Sequence, residues 1–71
     1  KMAWKFNEKS PIYLQIANHI KMQIISQEIK PGQQLATVRD LAEEAGVNPN
    51  TMQRAFTSLE QEGMVFSVRT S

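Results

Sequence analysis

Apolar residues recur at three- and four-residue spacing in three separate stretches of this chain, divided by polar or glycine-containing breaks. The longest stretch carries Ile12, Tyr13, Ile16, Ala17, Ile20, Ile24 and Ile25 on one face, the signature of a helix over about residues 11–27. Ser10 stands as its N-cap and Pro11 as its first helical residue, where a missing N–H costs nothing. The stripe is rich in β-branched residues, so tertiary burial rather than propensity has to hold it. Pro31 and Gly32 then mark a turn, with Ile29 and Leu35 as apolar anchors beside it.

The next two stretches are short and closely joined. Thr37 caps a helix over 38–45, and Asp40 stands three residues on, where it completes a capping box and favours the N-terminus. Leu41, Ala42 and Ala45 form its apolar side, and Gly46 supplies the left-handed position that ends it. Only Val47 intervenes before Asn48, an N-cap followed by Pro49 at the first position of a helix over 49–62. Val47 and Met52 are placed as a hydrophobic staple, and Met52, Ala55, Phe56 and Leu59 make the buried face that Gly63 closes. Helices joined this tightly cross steeply, which is a helix-turn-helix arrangement.

The flanks add less. Trp4 and Phe6 alternate with Lys5, so residues 1–9 read as an arm or a short edge strand, with Trp4 as a core or oligomer contact. Residues 64–68, MVFSV, read as a strand that needs a partner, and Arg69 to Ser71 approach a turn whose return strand does not follow in this sequence. The expected fold is therefore mainly α with a small β wing (α+β): a winged helix-turn-helix with a three-helix core and an incomplete wing, the domain occupying 10–71.

Once the buried face of the last helix is removed, Asn50, Thr51, Gln53, Arg54 and Thr57 remain, most of them in its first two turns. In a helix-turn-helix that end approaches base edges. Asn and Gln pair bidentately with adenine, and Arg with guanine or a phosphate. Such residues also make ordinary hydrated helix faces, and it is their combination with two caps and a tight turn that favours DNA. Arg39 taken alone is a surface charge paired with Glu43 one turn on. Arg69 has two readings, a wing residue aimed at the DNA backbone or minor groove and a frayed terminal residue.

Composition narrows the field further. The 71 residues suffice for one small domain, and eight Lys and Arg against seven Asp and Glu leave a net charge of only +1, so any positive patch must be local. Glu43, Glu44, Glu60 and Glu62 lie toward helix C-termini and have to face away from phosphates. No cysteine is present, which excludes thiolate metal sites and a disulfide scaffold. With no secretory h-region or bilayer-length apolar run, the cytoplasm is the expected compartment and no membrane partner is implied. The sole histidine, His19, lacks HExxH or paired-carboxylate company, and Glu43 and Glu44 diverge around their helix. Neither a catalytic centre nor a metal or cofactor site is expected.

Several ordered segments carry a family resemblance: Ser10-Pro11-Ile12-Tyr13 with Gln15-Ile16, Ile29-Lys30-Pro31-Gly32 with Leu35, Val38-Arg39-Asp40-Leu41-Ala42, and Gly46-Val47. The chain resembles the N-terminal winged-helix DNA-binding domain of the GntR family of bacterial transcription regulators, over nearly its whole length. The run Val47-Asn48-Pro49-Asn50-Thr51, then Gln53-Arg54-Ala55 and Leu59-Glu60, is similar to the YtrA subfamily in particular. The resemblance implies that Arg39 contacts DNA from the second helix, that Asn48, Asn50, Thr51 and Gln53 lie on or beside the groove-facing start of the recognition helix, and that Arg54 sits near the phosphate backbone or supports the fold. It also implies a repressor acting as a homodimer on a palindromic double-stranded operator, a C-terminal dimerisation region outside this chain, and an unspecified small-molecule effector. Two departures stand out: Ala36-Thr37 replaces the usual Pro-Ser, and the glycine-containing wing tip does not appear. The alternative is a winged-helix protein-interaction module without specific DNA binding, favoured if Glu43, Glu44 and Glu60 share the exposed face of Asn50 and Gln53.

Overall fold

The computed structural model describes residues 4–66. Among these residues three helices form, α1 (Ile12–Ile25), α2 (Val38–Ala45) and α3 (Pro49–Gln61), and α3 packs against both of the others. Their apolar faces meet in one core of Ile16, Ala17 and Ile20 from α1, Ala42 and Ala45 from α2, and Met52, Ala55 and Leu59 from α3. Ile16, Ile20, Met52 and Leu59 are its largest fully enclosed side chains. Each contributes about 1.5–3 kcal/mol relative to an exposed side chain. No polar or charged residue among those described is buried, so the core makes no electrostatic demands and the polar residues are left to the surface.

α1 is shorter at both ends than the apolar pattern suggests. Pro11 rather than Ser10 takes the cap position: its backbone is extended (φ −56°, ψ 143°), and its carbonyl accepts from the Leu14 and Gln15 N–H groups. Ser10 is drawn elsewhere, since its carbonyl accepts from Gln15 Nε2 at 2.8 Å. Gln15 also grips Asn7, donating to its carbonyl at 2.9 Å and accepting from its N–H at 3.0 Å. That clasp fastens the N-terminal arm to α1, and Trp4 completes it by lying against His19 with ring centroids 4.3 Å apart. The arm takes no strand over its described residues.

At the other end Gln27 adopts φ 67°, the left-handed region, and the Ile29 N–H returns to the Gln23 carbonyl at 3.0 Å. A non-glycine residue is strained there, and nothing in its side chain announces the conformation. Ile25, placed in the apolar stripe by its spacing, is 59% exposed. After α3, residues 64–66 form no strand, as a single strand without a partner cannot. The remainder of the expected wing strand lies outside the described residues.

Candidate nucleic-acid interface

Three residues, Gly46 to Asn48, carry the chain from α2 to α3. Gly46 turns left-handed (φ 75°), which lets the Val47 N–H reach back to the Ala42 carbonyl at 2.9 Å. The Asn48 side chain then accepts from the Asn50 N–H at 2.7 Å and starts α3, with Pro49 at its first position. Val47 packs against the same core that encloses Met52, so apolar contact fixes the entry angle of the second helix. At the start of α2, Thr37 Oγ1 accepts from the Asp40 N–H at 3.1 Å. The return half of the capping box, from the Thr37 N–H to the Asp40 carboxylate, is not made among the described residues.

Burial of Met52, Ala55 and Leu59 dictates what α3 shows to solvent. Asn50, Gln53, Arg54 and Thr57 are exposed. Gln53 and Arg54 stand three and four residues beyond Asn50, so the three are neighbours on one face with Asn50 at its leading end. Thr51 is half-buried and sits at the flank of that face rather than on it. Asn48 is exposed, but its side-chain oxygen is committed to the cap, leaving only its amide N–H groups for a partner.

Arg39 is exposed in the first turn of α2 and forms no ion pair with Glu43, contrary to the pairing their spacing suggests. A cation at a helix N-terminus opposes the macrodipole, so local stability gives no reason for it. Arg54 has a partner that sequence spacing did not disclose: its guanidinium carbon lies 4.2 Å from the centre of the Tyr13 ring on α1. Tyr13, on the core-facing stripe of α1, is half-buried there. Arg69 lies outside the described residues.

Glu62 pairs with Lys21 of α1, while Glu43 and Glu44 occupy the later turn of α2. Glu60 follows Gln53 by seven residues, hence on the same side of α3 but roughly 10 Å farther along its axis. Among the described residues no group of three or more His, Cys, Asp and Glu side chains is placed to hold a metal ion, and no helix is long and apolar enough to cross a membrane.

A family model described as bacterial regulatory proteins of the gntR family matches residues 12–71, which span all three helices. The chain belongs to that family. Its relatives are similar over most of its length: the helix-turn-helix transcriptional regulator YhcF of Bacillus subtilis is 43% identical over 61 residues, covering 86% of this chain and 50% of YhcF. The transcriptional repressor YtrA of the same organism is 40% identical over 60 residues, 84% of this chain and 46% of YtrA. The repressor NagR, also from B. subtilis, is 34% identical over 59 residues, 83% of this chain and 24% of its own length. The chain thus spans about half the length of YhcF and YtrA. As a GntR-family helix-turn-helix domain it is a regulatory module and not an enzyme.

Proposed function

We propose that this chain is the DNA-reading domain of a sequence-specific transcriptional repressor that acts as a homodimer on a palindromic operator, with α3 lying in the major groove. The observation that carries the reading is the exposed cluster of Asn50, Gln53 and Arg54 at the start of α3, beside a helix turn in which Arg39 forms no ion pair among the described residues. Asn50 and Gln53 supply donor–acceptor pairs matched to adenine, and the arginines supply phosphate or guanine contacts. Asn48 and Thr51 contribute from the edges of the same face, and Arg69, which lies outside the described residues, is assigned a further DNA contact. Similarity to YtrA and NagR, both named as repressors, supports the sign of regulation.

Dimerisation belongs to a region outside this chain, which also provides for any small-molecule effector, and the site of action is the cytoplasm. A two-fold dimer then places its half-sites about 34–36 Å apart, one helical turn of DNA. Enrichment of the complete protein on a random DNA pool reads out sequence and spacing together. On the selected site, Asn50→Ala should relax preference at one base pair by about 1–3 kcal/mol. Equal affinity for selected and scrambled duplexes would refute the proposal.

One observation favours the second reading, a protein-interaction module. Leu14, Met22 and Ile25 are 41%, 53% and 59% exposed and share the side of α1 turned away from the core. A protein that leaves the DNA pool unenriched would move the assignment to that surface.

A further inference from the structure

We infer that Tyr13 is a positioning residue for DNA binding: its ring holds the Arg54 guanidinium in the place from which it meets a phosphate. The inference rests on the proposed DNA-reading role of α3. Its basis is a division of labour within the guanidinium. The guanidinium carbon lies over the ring, 4.2 Å from its centre, and a contact with the π face of tyrosine consumes no hydrogen-bond acceptor, so the N–H donors are left available. Among the described residues none of those donors is spent on a hydrogen bond or an ion pair. Arg54 is therefore oriented without being satisfied.

The tyrosine is well suited to hold it. Tyr13 is half-buried in the first turn of α1 and packed against the core, so its ring is fixed by the same contacts that fix α3 on α1. An arginine on an exposed helix face normally samples many rotamers and gives up that freedom on binding. Here the loss is taken during folding. Arg54 also stands one helical turn behind Asn50 on the outward side, so a phosphate contact there would set how far Asn50 and Gln53 advance into the groove.

A double-mutant cycle on a mixed-sequence 25-base-pair duplex tests this, because phosphate contacts need no known operator. Arg54→Ala should weaken binding about tenfold and lower the slope of log affinity against log salt by about 0.9. Tyr13→Leu should weaken it about three- to fivefold with the salt slope unchanged, since the charge remains and only its placement is lost. Tyr13→Phe keeps the ring and should bind like the parent. In the Arg54→Ala background Tyr13→Leu should have no further effect. All measurements are made well below the melting temperature of each variant, with circular dichroism as the check on folding.

Equal losses from Tyr13→Leu with and without Arg54 overturn the inference. A loss in Tyr13→Phe as large as that in Tyr13→Leu also overturns it, by assigning the effect to the hydroxyl. No effect of Tyr13→Leu overturns it while leaving the DNA-reading role intact. Failure of the parent protein to bind any duplex refutes that role itself.

Discussion

Asn48 joins the folding of α3 to its proposed reading of DNA, and three substitutions separate the two. Its side-chain oxygen accepts from the Asn50 N–H at 2.7 Å in an exposed cap. Removing such a cap costs about 1 kcal/mol, within a range of about 0.5–2. For a domain of this size the total stability is about 4–10 kcal/mol, and a 1 kcal/mol loss lowers the melting temperature by about 4–8 °C. Asn48→Ala should show that drop. Asn48→Ser restores a cap acceptor and should recover most of the stability, but it lacks the amide donors and should bind DNA more weakly than the parent. Asn48→Asp caps as well as asparagine and adds a favourable charge at the helix N-terminus, so its melting temperature should equal or exceed the parent's. Its carboxylate then faces the phosphates, and duplex affinity should fall more steeply than in the serine variant, most of all at low salt. Thermal melts and salt-dependent binding of all three proteins form the assay. An Asn48→Ala melt within 1 °C of the parent (~0.2 kcal/mol) would refute the capping argument. Undiminished duplex binding by Asn48→Asp would refute the placement of this residue beside DNA.

Two further substitutions address single features of the backbone and the charge pattern. Gln27→Gly should stabilise the domain by about 0.5–1 kcal/mol, because φ 67° strains glutamine by more than glycine loses in extra chain entropy; a chemical denaturation curve with an unshifted or lowered midpoint would contradict it. Arg39→Ala should leave stability unchanged or raise it by a few tenths of a kcal/mol, since it removes a cation from a helix N-terminus, while reducing the salt slope of DNA binding by about one; a destabilised variant with unaltered slope would show that Arg39 serves the fold instead.

The features legible in the sequence are those that act within a few residues. Thr37, Gly46 and Asn48 meet their backbone partners two or three residues away and Pro49 takes the first helical position, so their identities alone locate the tight turn. The apolar spacing of Met52, Ala55 and Leu59 marks the inner side of α3, and subtraction leaves Asn50, Gln53 and Arg54 outside. The same logic fails at the margins of α1. Ser10 and Pro11 both suit a helix start, and the choice fell to Gln15, whose side chain claims the Ser10 carbonyl. Ile25 continues the apolar character of the stripe, yet at nine residues from Ile16 it stands about half a turn around α1, on the side turned away from the core, and it is exposed.

By itself, then, the sequence determined three helices, their core-facing sides and the polar face of the third, because caps and periodicity are local or cumulative along one element. Only the tertiary structure decided the orientation of what that face carries. Tyr13 and Arg54 lie 41 positions apart, and a contact between them depends on how α1 rests on α3, which no local pattern encodes. Likewise Arg39 stands without Glu43, although their spacing permits a pair, because an exposed ion pair is worth too little to hold two side chains in one geometry. Packing of half-buried groups against neighbours from distant segments set these outcomes, and such packing exists only once the helices have met.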